Sequence, residues 1–374
     1  MSTTTHRGGR ASAGAFAAAL CVLAASCAHG ALGHRAAGAS PGAQSIYATD
    51  AYPGFDGLDK LPVPEKKEKS WFLGVSRTTP AEQLAYAKEE EAAGNLRTAR
   101  RACDALVREW PSSPEAPVAQ LMLAMIWAQR EEDYDEAFTE LNYALDFYSR
   151  DVDYLKLVEY QYKLANMMVK NRKTFWGMSF TSLRTLRQNY EMIVRRAPGA
   201  AYVPEAMLQI ASLREQDTQY EEAVEVYATL TSKFPVSIEA RKALYLGSKA
   251  RMWLVRRHAY NQKRCQDTLN HLKRVLRLAP DHEGAAEMSA WADEIMEYLA
   301  EDAYTRAKFY DTKQRSRHAA AMAYERFLKD YPQSKHAEEA RSRIREILGG
   351  QADQGNAEAK PEDGKKTEEA KKEE

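Results

Sequence analysis

The chain has 374 residues and four cysteines, and its 53 Lys and Arg balance its 53 Asp and Glu. Length alone admits two or three domains, the cysteine usage implies no disulfide framework, and without a nucleophile elbow, Walker loop, HExxH or paired-cysteine motif catalysis has no signature. The neutral sum hides an asymmetry: residues 131–159 carry ten acidic side chains against Arg150 and Lys156, whereas residues 241–277 carry eleven Lys or Arg against Asp267 alone. Two oppositely charged stretches suit two different partners.

At the N-terminus Arg7 and Arg10 precede an apolar run from Ala11 to Leu23. That run has the length of a signal-peptide h-region and is too short to span a bilayer as a mature helix. It ends in Leu23-Ala24-Ala25-Ser26-Cys27, which resembles the bacterial lipoprotein cleavage box, although Ala24 stands where the box usually has Leu. The resemblance implies that Cys27 is diacylated and becomes the new N-terminus, with Ala28 after it pointing to outer-membrane sorting. Ordinary cleavage near Ala28-His29-Gly30, which would discard Cys27 with the signal, is the alternative. Cys21 lies within the signal, and Cys103 and Cys265 fall in different hairpins, too far apart for a disulfide.

From Ala28 to Val63 the sequence is rich in Gly, Ala and Pro without helical period, and Glu65-Lys66-Lys67-Glu68-Lys69 continues it. Residues 28–79 therefore read as a flexible tether after a signal at 1–27. Within it Trp71-Phe72-Leu73 is an apolar patch expected to dock on the first hairpin.

Helices then follow in pairs. The pattern predicts Pro80–Ala93 with Leu96–Trp110, Pro114–Gln129 with Tyr134–Tyr148, and Tyr154–Val169 with Leu183–Arg196 after a longer interruption. Val203–Glu215 pairs with Tyr220–Phe234, Ile238–Tyr260 with Cys265–Leu278, and Ala285–Tyr310 with His318–Tyr331, before a capping helix at Glu338–Leu348. Aromatic-Pro stops punctuate them at Trp110-Pro111, Phe234-Pro235 and Tyr331-Pro332, with looser copies at Ala197-Pro198 and Ala279-Pro280. Inside the hairpins Leu96 with Ala99, Tyr134 with Ala137, and Tyr220 with Ala223 place a small residue one turn into the second helix, where helices can approach closely. This is tetratricopeptide-like patterning. The expected fold is all-α: a tetratricopeptide-like helical-hairpin solenoid of about six helix pairs plus a capping helix over residues 80–348. From Gly349 to Glu374 the chain has no aromatic or branched apolar side chain and reads as a disordered charged tail.

Two surfaces stand out as partner-binding candidates. Arg251, Arg256, Arg257, Lys263, Arg264, Lys273, Arg274 and Arg277 form a basic cluster across two adjacent helices, able to steer an acidic protein or lipid phosphates; export argues against nucleic acid. Phe175, Trp176 and Phe180 form an aromatic loop flanked by Arg172 and Lys173, a partner anchor if exposed and a hairpin closure if not. Asp281-His282-Glu283 directly follows Pro280 and reads as turn and cap. No catalytic residue, metal ligand or cofactor is expected.

Tyr298-Leu299-Ala300-Glu301 through Tyr304, Ala307 and Phe309-Tyr310, then Ala319-Ala320-Ala321, Tyr324 and Tyr331-Pro332, resemble the outer-membrane assembly lipoprotein BamD family. So does the Phe175-Trp176-Gly177 interruption before a long helix ending Arg195-Arg196-Ala197-Pro198. The resemblance spans roughly residues 80–348, with about six pairs here against five repeats in the family. It implies a non-catalytic protein anchored by lipid on the periplasmic face of the outer membrane. Its implied partners are a BamA-like barrel protein, other assembly-machinery lipoproteins and unfolded outer-membrane proteins. Another periplasmic repeat adaptor, such as an envelope-division coordinator, a pilotin-like factor or a cell-wall enzyme accessory, is the alternative function.

Overall fold

The computed structural model describes residues 65–68, 74–128, 134–170, 174–175, 178–179, 182–258 and 261–357. The N-terminal segment expected to be a signal, with Cys27, the Trp71-Phe72-Leu73 patch, Trp176, Phe180 and the residues beyond 357 lie outside these residues. Two compact units divide the chain, Met1–Gly247 and Ser248–Glu374.

In the first unit the helices are α1 (Pro80–Ala92), α2 (Leu96–Glu109), α3 (Ala116–Ala128), α4 (Tyr134–Phe147), α5 (Tyr154–Lys170), α6 (Leu183–Arg196), α7 (Val203–Gln216) and α8 (Tyr220–Lys233). The helix α9 (Ile238–Arg257) runs through the division, and the second unit continues with α10 (Gln262–Leu278), α11 (Ala285–Thr312), α12 (Arg317–Asp330) and α13 (Ala337–Ala357). From α1 to α8 each helix packs on the next, as do α10 to α13 in the second unit. Apart from the longer interruption between α5 and α6, short connections between packed neighbours make them antiparallel hairpins. Each unit is thus a succession of the helical hairpins that the sequence predicts, with most boundaries within two residues. The helix α13 runs on to Ala357, nine residues into the stretch read as tail, and α9 is described as ending at Arg257 rather than Tyr260. Besides helices, the described residues hold a two-residue antiparallel ladder, β1 (Thr174–Phe175) with β2 (Met178–Ser179), where the sequence suggested only a loop.

The prolines explain where helices end. A proline's ring excludes the preceding residue from the α region, and the five residues in that position share one conformation. Trp110 has φ −126° and ψ 61°, Ala197 −139° and 65°, Phe234 −128° and 53°, Ala279 −137° and 66°, and Tyr331 −134° and 60°. Each still donates its N–H to the helical carbonyl four residues back, Leu106, Ile193, Leu230, Val275 and Phe327 respectively. The stop residue's own carbonyl then accepts from the residue three further on, Ser113, Ala200, Ser237, His282 and Ser334. In four of the five a second such turn delivers the chain to the next helix: Ser113 to Ala116, Ala200 to Val203, His282 to Ala285 and Ser334 to Ala337. At Ser237 the hydroxyl caps instead, accepting from Ala240 N–H at 3.0 Å.

The turns within hairpins use a different device. Gly94 closes α1 with φ +80°, and Asn95 N–H reaches back to Glu90 carbonyl at 2.8 Å. The same reach from Gln219 to Arg214, also 2.8 Å, closes α7 with Thr218 at φ 60°. Left-handed backbone costs a non-glycine residue roughly 1–2 kcal/mol, so a branched threonine there is locally strained. One turn into the second helix of their hairpins, Ala99, Ala137 and Ala223 are fully buried, as expected of close-approach positions. Gly247 serves the same end between α8 and α9: a Cβ there would lie 3.0 Å from Tyr227 Cβ.

The core of the first hairpins gathers Leu84, Ala87, Cys103, Leu106, Leu123 and Ile126 with Tyr148, and that of the second unit's end gathers Tyr304, Ala307, Tyr324, Phe327 and Ile347. Cys103 and Cys265 are both buried free thiols, one in each unit. Thr218→Gly is expected to stabilise the first unit by about 1 kcal/mol, the relieved strain exceeding the added unfolded-state entropy; a rise in the urea midpoint checks this.

Candidate partner-binding surfaces

The basic cluster is built on α9 and α10, both rich in cations along their lengths. On α10 the buried positions Cys265, Thr268, Leu269, Leu272 and Val275 face inward, which leaves Lys263, Lys273, Arg274 and Arg277 exposed on the opposite stripe and Arg264 half-buried. Arg277 Nε donates to the Lys273 carbonyl at 3.2 Å. Three cations in the last two turns also complement the negative end of the helix dipole.

The α9 members are differently placed. Arg256 makes a two-pronged pair with Glu294 on α11, Nε to Oε1 at 3.0 Å and Nη2 to Oε2 at 2.8 Å. Arg257 lies over the Trp253 ring, 5.1 Å from its centroid. Arg251 is half-buried, and burial lowers its pKa while Asp267 raises it and Arg274 lowers it further. Beside it, His271 is held to about 4, chiefly by burial and then by Arg251 and Arg274, and so is neutral at physiological pH. Its Nε2 is 3.2 Å from Ser248 Oγ. The eight cations therefore do not act alike: Lys263, Lys273, Arg274 and Arg277 form an exposed stripe on α10, Arg264 is half-buried, and half-buried Arg251 and the exposed Arg256 and Arg257 are engaged within the unit.

The acidic stretch is partly spent internally. Asp146 accepts from Arg196 Nη2 at 2.8 Å, and burial, outweighing Arg196, raises the Asp146 pKa above the ordinary range. Asp153 pairs with Lys156 and Glu159 with Lys163 on the surface, contacts worth little each. Of the aromatic loop, the backbone of Phe175 sits in β1 opposite Met178.

Sequence reasoning missed the polar interior. Glu191 on α6 is fully buried, with Arg187 Nη1 and Arg214 Nη2 each 3.3 Å from its Oε1. Burial pushes the Glu191 carboxyl up to about 7 against the pull of both guanidinium groups. Nearby Arg196 joins Asn142 at 2.6 Å, Gln161 at 3.1 Å and Asp146, linking three helices. The spacing of Arg187 and Glu191 was visible as an i,i+4 pair; its burial was not.

Among the described residues no group of three or more His, Cys, Asp or Glu is arranged to hold a metal, and no helix is long and apolar enough to cross a membrane. His282 Nδ1 accepts from Gly284 N–H at 2.9 Å, a turn contact at the start of α11.

Comparison with known proteins places part of this chain. Residues 178–348, from β2 into α13, match the family model YfiO, described as outer membrane lipoprotein. No curated protein sequence matches. Among solved structures the chain is similar to a tetratricopeptide repeat protein from Parabacteroides merdae, at 16% identity over 72% of this chain and 98% of that one, with a TM-score of 0.29. It is also similar to the C-terminal part of a TPR repeat-containing protein from Cytophaga hutchinsonii, at 16% identity over 69% of this chain and 98% of that one, with a TM-score of 0.27. The hairpins described above, not these likenesses, carry the fold.

Glu191→Ala is expected to destabilise the first unit by about 3–5 kcal/mol, because it strands two guanidinium groups in the interior; urea denaturation followed by circular dichroism measures it. The raised carboxyl has a second consequence. Its folded pKa of about 7 lies above the ordinary 4.5, so its contribution to stability is fully present below 4.5 and lost as pH rises through 7. Glu191→Gln should flatten that decline, read as urea midpoints from pH 4 to 8.

Proposed function

We propose that this protein is a lipid-anchored, non-catalytic scaffold of the machinery that assembles β-barrel proteins in the outer membrane, facing the periplasm. The observation that carries the reading is the match of residues 178–348 to an outer membrane lipoprotein family. It is supported by the apolar run Ala11 to Leu23 and by the stretch Leu23-Ala24-Ala25-Ser26-Cys27, which resembles a lipoprotein cleavage box, and by a body of helical hairpins, which present extended side-chain surfaces to partners. In this reading Cys27 carries the fatty acyl groups, a BamA-like barrel protein is the principal partner, and other assembly lipoproteins and unfolded outer-membrane proteins are bound beside it.

The basic stripe lies inside the matched region and is the contact surface we assign to an acidic partner. Its members Lys263, Lys273, Arg274 and Arg277 are exposed on one helix, and cations so placed raise association rates in a salt-dependent way. Phe175, Trp176 and Phe180, a partner anchor if exposed, are the second contact we assign, at the edge of the matched region.

A mild-detergent pull-down of the full-length protein from its own envelope, alongside Cys27→Ala, with mass spectrometry of partners and of the N-terminus, tests the proposal. Recovery of a BamA-like protein with a diacylated Cys27 is the expected result, and Cys27→Ala should leave the membrane fraction. Recovery of a secretin, a division complex or a wall enzyme without any BamA-like protein would overturn it. Replacing Lys273, Arg274 and Arg277 together by Glu should cut partner recovery at least tenfold at low salt while leaving the helical signal unchanged.

A further inference from the structure

Residues 65–68, ahead of the first helix, are not helical, yet Lys67 is only 13% exposed. Its ammonium lies 2.6 Å from Glu140 Oε2 on α4, 3.3 Å from Asp104 Oδ1 on α2 and 3.5 Å from Gln120 Oε1 on α3. Three acceptors match the three donors of a lysine. The Tyr143 ring completes the recess, its centroid 5.2 Å from the same nitrogen, a cation–π contact.

The recess is held in shape by its own contacts. Fully buried Gln120 donates from Nε2 to the Glu140 carbonyl at 2.9 Å and to Glu140 Oε2 at 2.6 Å. Arg108 Nε donates to Asp104 Oδ2 at 3.0 Å and orients that carboxylate. The backbone of the occupant is recognised as well: Lys67 N–H donates to Tyr143 Oη at 3.3 Å, and Arg108 Nη1 donates to the Glu68 carbonyl at 2.9 Å. Residues 66 and 68 on either side are exposed. The contacts thus read one lysine side chain, its N–H and the carbonyl of the next residue, and leave the flanking side chains unread.

We propose that the recess formed by Asp104, Gln120, Glu140 and Tyr143 is a lysine-reading peptide site, closed in cis by Lys67 and opened when a lysine-bearing peptide segment of a partner protein takes its place. The chemistry is that of a peptide ligand: main-chain groups and one side chain are bound together, and removal of the occupant leaves two carboxylates facing each other across a partly buried recess. A segment joined to its own site acts as a tethered competitor, at an effective concentration that a free peptide must exceed. The proposal is independent of the assembly reading, because these helices precede the matched residues 178–348.

The test uses the full chain, its Lys67→Ala variant, and a fluorescent synthetic peptide of residues 62–70, followed by anisotropy at low salt. The peptide should bind Lys67→Ala at least tenfold more tightly than the wild type. A peptide with alanine in place of its Lys67 should lose that binding, and Lys67→Ala combined with Glu140→Gln should lose it too. In the wild type, excess peptide should raise amide hydrogen exchange in residues 65–68, a readout that needs no variant to fold. Equal affinity for both proteins, binding that ignores the peptide's lysine, or unchanged exchange at saturating peptide would overturn the proposal.

Discussion

The steric clash between a proline ring and the residue before it is the constraint on which this structure depends. It ends α2, α6, α8, α10 and α12 at residues whose φ and ψ agree within about 15°. An identical exit at each stop gives each following helix a similar start, and helices that start alike can pack alike. The aromatic side chains at two of the stops then do a second job: Tyr331 packs against Phe327, and Trp110 lies against the first core. Where the stop residue is Ala197 or Ala279 the backbone turns in the same way without that packing, so the turn itself comes from proline and the aromatic adds burial.

This division explains what could be read from the sequence. Proline stops, apolar period and the small residues Ala99, Ala137 and Ala223 are local signals, and local signals placed nearly every helix. The left-handed turn at Gly94 carries its usual occupant, glycine; the equivalent turn at Thr218 leaves no sign in the sequence, because threonine is not a residue that marks such turns. Charged residues were the hardest to place. Arg187, Arg196 and Arg214 look in sequence like surface cations of polar helix faces, yet they are buried. Their partners Glu191, Asn142, Gln161 and Asp146 come largely from other helices, and a partner at that separation leaves no local mark. The basic stretch was legible as composition but not as a surface, since Glu294, which engages Arg256, lies 38 residues away.

The basic stripe of α10 and the carboxylates around Lys67 differ in physical kind. The exposed cations of α10 sit in high dielectric, where they act at a distance and are screened by salt. The acidic residues around Lys67 are partly desolvated and act only at contact, with geometry deciding the strength. In the roles proposed above, a long-range steering surface and a short-range socket would be complementary tools for holding different partners. They occupy different parts of it: the first lies within the region similar to outer membrane lipoproteins, and the second lies before that region begins.

The two buried thiols give the molecule a built-in gauge. Burial pushes the Cys103 thiol up to about 12, with Glu91 and Asp104 adding to the rise, and burial raises the Cys265 thiol as well. Neither forms thiolate to any extent at neutral pH, and thiolate is the reactive species. Alkylation of either one must therefore wait for its surroundings to open. Because one thiol belongs to each compact unit, their separate labelling rates would report the opening of each half of the chain individually, with no probe introduced from outside.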